Sequence, residues 1–420
     1  MEIERVVKIY KKNKFLFFKK TFLKLIRIFY SSFFLPLSII LFLFILIIKL
    51  FITIRISSIP TSRIGHLSGN VDLYLCHKKY IQKEKTLDIF FRERFISNYF
   101  LYQKWKKKLY VGNRIILNQI LFFISFFNLK KHQIKAIETD RDFLNIRSKK
   151  VDLNLEFSLT EEEYGYSVLE NFGVKKSDKI VCLVSRDEVY LNKTHPEMNW
   201  DYHNYRNSEI KNYKLAAEEL ANRGYFVFRM GLSNKEKLIS NNKRVIDYSF
   251  SKFRSEFMDI FLSSKCNFAI SSSLGLDGVF QLFHKPIAFV NMVPLAYLQS
   301  YYERHIFLFK KHFSLEKNRN LSLNEIFDLE LAIPLNTENF KKKGVKLIEN
   351  SPEEIRDTAI ELDDRINKRY VETFEQQNLQ EKFRQLYEEN LKKYNFRHMH
   401  GKLLALHSSN FLKSNDYFIE

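Results

Sequence analysis

Hydrophobic positions change period several times along the chain, and each change predicts an element. Tyr30 through Ile48 carries no charge and reads YSSFFLPLSIILFLFILII. As a helix it is barely long enough to cross a ~30 Å hydrocarbon core. Phe51 to Ile56 (FITIRI) then reads as a strand, and His66 to Lys79 as a helix. Residues 85–150 mix basic helical stretches with short apolar runs and yield no clear order. Thr160-Glu161-Glu162-Glu163 predicts a capping box that opens a helix to about Asn171, ended by Gly173. Short apolar, β-branched runs follow at 179–184 (KIVCLV), 225–229 (YFVFR), 267–270 and 286–290 (PIAFV), the mark of buried parallel strands. Helices predicted at 208–223, 253–263 and 275–283 separate them. Strands and helices alternating at this spacing predict right-handed βαβ units around mostly parallel sheets. Residues 352–395 are charged and periodic, predicting long surface helices opened by Ser351-Pro352-Glu353-Glu354.

The predicted chain is therefore α/β in four parts. A basic N-terminus and membrane segment occupies 1–50. An N-terminal α/β half follows at 51–170, a C-terminal half at 175–345, and closing helices at 351–400. A length of 420 residues fits two or three domains.

Charge changes the picture at one end. The chain holds 68 basic and 48 acidic residues, a net charge of +20, which favours anionic partners such as phospholipid headgroups or nucleotide phosphates. Residues 1–30 concentrate nine basic side chains against Glu2 and Glu4, so the positive-inside rule places the N-terminus in the cytoplasm. A single span would carry the body out of the cell. Pro36 and the Ser31–Ser32 pair can instead break the segment into a re-entrant or interfacial attachment with both ends cytoplasmic. A buried core helix is the third reading. Cys76, Cys182 and Cys266 are scattered and odd in number, which predicts neither a disulfide framework nor a zinc site but a reducing compartment.

Open α/β sheets bind ligands beyond the carboxyl ends of their strands, so the strand-to-helix loops hold the candidate chemistry. Ser271-Ser272-Ser273-Leu274-Gly275 reads as an anion site of backbone N–H groups, or as ordinary capping with a tight turn. Arg186 and Asp187 follow one strand, with Arg229 and Gly231 at the end of the next; an Arg there suits bidentate pairing to phosphate. The segment Trp200–Ser208, with His203, Arg206 and Asn207, offers aromatics for stacking a base or sugar, or a staple and cap. Arg63, Gly65 and His66 follow the first strand, with Asn70 one turn further along. His66 is the candidate general base, facing the cleft from the opposite half, although a lone His at a helix start is more often a cap. No P-loop, G-x-G-x-x-G, H-E-x-x-H or G-x-S-x-G motif is present. The basic run Lys104–Lys108 around Trp105 lacks a nucleic-acid motif, so no nucleic-acid partner is expected.

Several separate stretches resemble one family. TSRIGHL (61–67), YRNSEIKNY (205–213), GYFVFRMG (224–231), RVIDYSFSKFRSEFMDIFLSSKCNFAIS (244–271) and GVKLIENSPEEI (344–355) are similar to bacterial glycosyltransferases found with surface-polysaccharide genes. The similarity runs over about residues 60–360. It implies a GT-B-like fold of two Rossmann-like domains facing a cleft, with a nucleotide-sugar in the C-terminal half and an acceptor in the N-terminal half. It implies no metal cofactor. The strand followed by Arg186 is also similar to GDP-fucose-dependent fucosyltransferases, but their His two residues before the Arg is here Val184.

The expected activity is sugar transfer to a lipid-linked saccharide at the cytoplasmic face of the inner membrane. Ser271–Ser273, Gly275, Arg186, Asp187, Arg229 and Gly231 would hold the donor. A sugar-nucleotide epimerase or hydrolase of the same fold, and a non-catalytic membrane scaffold, are the alternatives.

Overall fold

The computed structural model describes residues 22, 25–26, 28–149, 151–194, 199–299, 302–333 and 336–420. The basic tract expected at 1–30 lies almost entirely outside them. In chain order, helix α1 (Leu35–Ile48) leads to strand β1 (Thr53–Ile59), helix α2 (Ile64–Tyr80) and strand β2 (Thr86–Arg92). Helix α3 (Tyr99–Lys106), strand β3 (Tyr110–Val111) and helix α4 (Arg114–Phe126) follow. Contacts divide the chain into two units. One comprises Met1–Ser62, Lys83–Ile96 and Trp105–Glu138; the other Arg63–Gln82, Ser97–Lys104 and Thr139–Glu420. Helix α2 thus belongs to the larger, C-terminal unit and not to a contiguous 51–170 half.

The smaller unit is built on a parallel sheet ordered β1-β2-β3. Arg55 on β1 grips Asp88 on β2 through two parallel bonds of 2.7 and 2.8 Å, so a carboxylate buried to 1% exposure keeps its charge paired. Phe42 and Ile45 of α1 pack with Leu117, Ile120 and Ile124 of α4 and with Ile54 and Ile56 of β1. Among the described residues no helix is long and apolar enough to cross a membrane.

In the larger unit α2 is followed by helix α5 (Leu159–Glu170), strand β4 (Lys179–Val184), helix α6 (Val189–Thr194), helix α7 (Lys214–Asn222) and strand β5 (Tyr225–Arg229). The capping box of α5 starts at Ser158, two residues before the expected Thr160. Ser158 Oγ accepts from the Glu161 amide at 3.2 Å, and the Glu161 carboxylate accepts from the Ser158 amide at 2.8 Å. Strand β6 (Val245–Ile246), helix α8 (Glu256–Lys265), strand β7 (Phe268–Ser271), helix α9 (Asp277–Leu282), strand β8 (Ile287–Met292) and strand β9 (Ile306–Phe309) come next.

Strands β10 (Lys311–Ser314), β11 (Arg319–Asn320) and β12 (Val345–Ile348) form a small antiparallel sheet, with helices α10 (Leu323–Asp328) and α11 (Thr337–Lys342) between β11 and β12. Helices α12 (Pro352–Ile366) and α13 (Phe374–Lys393), strand β13 (Leu406–His407) and helix α14 (Ser409–Ser414) close the chain.

The main sheet is parallel throughout, in the order β13-β9-β8-β7-β4-β5-β6. From β4 the chain moves outward to β5 and β6, then returns so that β7 lies on the other side of β4. The order therefore reverses between β4 and β7. That reversal leaves a crevice at their carboxyl ends, because the crossovers on either side leave in opposite directions. Helices α7 and α12 cover one face of the sheet, where Ala217, Leu220, Ile355 and Ala359 meet Val181, Val227 and Ile270.

Candidate functional site

The carboxyl ends of β4 and β7 are tied together in register, Val184 opposite Ser271. Beyond them the loops bond directly. Ser272 N–H donates to Val184 O at 3.2 Å, and Arg186 N–H donates to Ser272 Oγ at 2.8 Å. A 3-10 turn at Asp201–Arg206 then brings the chain back across the crevice, where Ser208 N–H donates to Arg186 O at 2.9 Å. Arg206 reaches over the same loop to donate from Nη2 to Ser273 O at 2.5 Å.

This places two guanidiniums, Arg186 and Arg206, side by side at the switch point. Among the described residues neither has a carboxylate at ion-pair distance, and the Nε of each is buried without a hydrogen-bond partner. Burial, and then Arg206, push Arg186 down to about 10. His203 lies against the same charges, its ring packed against Tyr202 and stacked on Trp200, with centroids 4.0 and 6.0 Å away. Burial together with Arg186, Arg206 and Arg63 pushes His203 down to about 4, so it is a neutral ring at physiological pH. Two guanidiniums meet here, each with a buried Nε that has no hydrogen-bond partner. Such an arrangement is unfavourable unless an anion completes it.

Arg63 arrives from α2, where it occupies the N-cap. The crossing of α2 and α9 explains the glycines. A Cβ on Gly65 would lie 2.9 Å from Gly275 Cα, and one on Gly278 would lie 2.6 Å from Ser68 Oγ and 2.7 Å from Gly65 O. Gly65 and Gly275 therefore serve close helix approach. His66, in the first turn of α2, contacts Asn70 Oδ1 through Nδ1 at 3.2 Å, one helical turn away as expected. With Nδ1 assigned as the donor, Nε2 is left as the basic nitrogen. His66 is carried by the same unit as Arg186, not by an opposing half.

Four expectations change. The Ser271–Gly275 loop is not an open cradle of N–H groups, because the amides of Ser272, Ser273 and Leu274 are already bonded. Ser273 N–H donates to Ser271 Oγ at 3.2 Å and Leu274 N–H to Asp277 at 2.7 Å, while Ser271 Oγ donates to Asp277. Ser273 itself takes the left-handed conformation, φ +60°. The buried Asp277, pushed up to about 7 by desolvation, holds the turn rigid. Arg229 is a core bracket, 1% exposed, donating to Ser249 Oγ at 2.9 Å and Glu236 O at 3.1 Å beside Asp247. Asp187 does not hold Arg186; it accepts from the Val189 and Lys235 amides, both at 2.9 Å. Gly231 is a turn residue: its φ is +146°, and a Cβ there would lie 2.4 Å from Asn234.

Next to the guanidiniums opens a cavity of about 540 Å³ lined in part by Ser185, Tyr205, Lys310, Phe340 and Glu349. Asn207 forms its wall, bonding Asn204 at 3.1 Å and Glu188 at 3.3 Å through Nδ2 and accepting from Lys310 Nζ at 2.5 Å. Lys310 is 4% exposed and pushed down to about 8 by burial. Tyr205 stacks near Phe340, centroids 5.6 Å apart, with its hydroxyl unpartnered. Sequence reasoning missed Lys310 because the strand before it, IFLF at 306–309, is only four residues long. Among the described residues no group of three His, Cys, Asp or Glu is placed to hold a metal ion.

The fold and this crevice define a parallel α/β protein with a cationic site at its switch point. No family model matches the sequence, and no curated protein matches it. Among solved structures, the chain is similar to E. coli ADP-heptose LPS heptosyltransferase II, with a TM-score of 0.37 and 10% identity over 74% of this chain and 100% of that one. It is also similar to a glycosyl transferase family 9 protein from Veillonella parvula, with a TM-score of 0.40 and 10% identity over 74% of this chain and 97% of that one. At these TM-scores neither likeness bears on the chemistry of this chain.

Proposed function

We propose that the chain is a GT-B-type glycosyltransferase that moves a sugar from a nucleotide-sugar to a lipid-linked saccharide, in surface-polysaccharide synthesis at the cytoplasmic face of the inner membrane. One observation carries the donor assignment: Arg186 and Arg206 lie together at the switch point with buried, unpartnered Nε groups and, among the described residues, no carboxylate at ion-pair distance. A diphosphate supplies the two or more negative charges such a pair lacks, and guanidinium forks match its oxygens. The adjoining cavity has room and aromatic surface for the nucleoside.

In the transfer, the acceptor hydroxyl oxygen bonds to the anomeric carbon while the bond from that carbon to the phosphate oxygen breaks. The electron pair leaves with the nucleoside diphosphate, where the guanidiniums stabilise the developing charge. The acceptor proton passes to His66 Nε2. His203, neutral and between the cations, holds aromatic surface and adds no charge.

The test is a transfer assay with UDP-, GDP-, ADP-, CMP- and dTDP-sugars and a bacterial lipid extract as acceptor. One donor is expected to label a lipid product and release its nucleotide, and the Arg186→Ala/Arg206→Ala variant to do neither. Release of nucleotide without any labelled acceptor would instead indicate a sugar-nucleotide hydrolase or epimerase.

A further inference from the structure

The smaller unit carries an apolar surface that its own core does not use. Helix α1 buries Ser38, Phe42 and Ile45 on one stripe, and its opposite side exposes Ile40 (62%), Leu43 (51%) and Ile47 (66%). Helix α4 buries Leu117, Ile120 and Ile124 and exposes Phe122 (62%) and Phe126 (71%), with Phe127 (57%) at its end. The exposed rings of α4 run on to Phe42, on the packing stripe of α1. Ring centroids run from Phe42 to Phe123 at 5.4 Å, to Phe122 at 5.8 Å, to Phe126 at 6.1 Å, to Phe127 at 5.1 Å, and back to Phe42 at 5.8 Å. The helices are also fixed to each other by polar bonds: Ser38 Oγ donates to Gln119 at 2.6 Å, and Gln119 donates to Ser31 at 2.8 Å. A rigid apolar platform of this kind marks an interaction surface.

Charge identifies what covers it. No Asp or Glu occurs from Arg5 to Val71, nor from Arg94 to Ile137, so both helices lie in acid-free stretches. Lys49 after α1, and Lys130, Lys131 and Lys135 after α4, are exposed at the helix ends. An apolar face with exposed lysines following both of its helices, and no acid on either helix, matches an anionic lipid surface better than a protein partner. Helix α1 packs through Phe42 and Ile45 on β1 and α4, so one side of it is held by the folded sheet, whose polar backbone does not enter hydrocarbon, and it lies along the surface of the unit.

We infer that α1 and α4 together form an in-plane docking platform for anionic phospholipid, attaching the protein to one leaflet without crossing it. The inference does not depend on the chemistry proposed above.

Flotation of the full-length protein with phosphatidylcholine vesicles, with and without phosphatidylglycerol, tests it. Strong partition is expected only with phosphatidylglycerol and at low salt. Phe122→Ser/Phe126→Ser is expected to weaken it about tenfold or more, and Lys130→Glu/Lys131→Glu to remove the preference for the anionic lipid. Unchanged partition in both variants overturns the proposal. So does lipid-free self-association abolished by the Phe pair, which would make a second copy of the chain the occupant. Should the serine variant not fold, Phe126→Trp gives an independent reading. Its emission is expected to shift to the blue on vesicles and to be quenched more by a spin label near the headgroup than by one at the bilayer centre. Absence of a shift, or stronger quenching at the centre, overturns the in-plane docking.

Discussion

Replacing Arg186 with Met distinguishes a ligand site from a structural ion cluster. The side chain's guanidinium is displaced from 12.5 to about 10 by burial and by Arg206. At about 1.36 kcal/mol per unit, that displacement corresponds to roughly 3 kcal/mol of unfavourable free energy in the empty protein. Solvent relaxation lowers the figure, so it is an upper bound. The sign is clear: the folded value lies below the unfolded one, and at neutral pH the group stays charged, so the penalty is present. Met keeps the aliphatic stem, and the backbone bond from residue 186 to Ser272 Oγ does not involve the side chain. The expected outcome is a variant that melts at the parent's temperature or up to about 2 °C higher. Binding of a nucleoside diphosphate, or of inorganic pyrophosphate, should weaken by about 10- to 100-fold, the loss of one charged hydrogen-bonding group worth ~1.5–3 kcal/mol. Differential scanning fluorimetry over a range of pyrophosphate concentrations reads both quantities. A variant melting several degrees below the parent without ligand would refute the reasoning, because Arg186 would then be holding the fold. Equal stabilisation of parent and variant by pyrophosphate would refute it too.

Four further outcomes follow from the same geometry. Arg229→Ala should lower the stability of the ligand-free protein by about 1–3 kcal/mol, since it leaves Glu236 O without the Arg229 donor and half-buried Asp247 without its cation; urea unfolding checks this, and a neutral result would mean that Arg229 is not the core bracket described. Gly278→Ala forces a Cβ to within 2.7 Å of Gly65 O and is expected to cost about 1–3 kcal/mol, with the α2 crossing and His66 displaced; transfer activity should fall alongside the melting temperature. His66→Ala should leave nucleotide binding intact while reducing transfer by about 10²- to 10⁴-fold, a split that isothermal titration and product assay separate. Stability should decline as pH falls below 6.5: His305, His400 and His407 are held to about 3 and His203 and His312 to about 4 by burial, so the unfolded chain binds their protons first. Asp277, pushed up to about 7, and Asp259, to about 6, act in the opposite sense and offset only part of the loss. Urea midpoints measured from pH 7 to pH 4 should fall; a rise would contradict the burial of these histidines.

Much of the larger unit was legible before the structure. KIVCLV became β4 at the predicted residues and YFVFR became β5, because runs of β-branched and aromatic residues bounded by Gly173 and Gly224 fit a doubly covered strand. The capping signal at Ser351, with Pro352 at the first helical position, opened α12 as predicted. The failures were local in information and tertiary in cause. Residues 85–150 hold α3, β3 and α4, where apolar periodicity is blurred because α4 exposes Phe122 and Phe126 as well as burying its core face. Strands β6, β11 and β13 are two residues long, too short to carry a period.

For the candidate site the division has a physical reason. By itself the sequence determined which residue types stand at strand ends: Arg186 and Arg229 after hydrophobic runs, a Ser-rich turn before Gly275, and His66 three residues past Arg63. It could not determine which of these groups already have partners. Arg186 and Arg229 look alike as sequence, since each is an Arg at the end of a buried strand. Only the tertiary structure supplies Asp247 and Ser249 to one, and sets Arg206, another cation, beside the other. Likewise Gly65, 210 positions from Gly275 in the numbering, acquires its meaning only when α2 crosses the chain leading into α9 and the Gly275 backbone leaves it no room for a Cβ. Local pattern sets what each segment can form. Whether a charge is satisfied depends on groups brought together from distant parts of the chain, and that was decided by the fold.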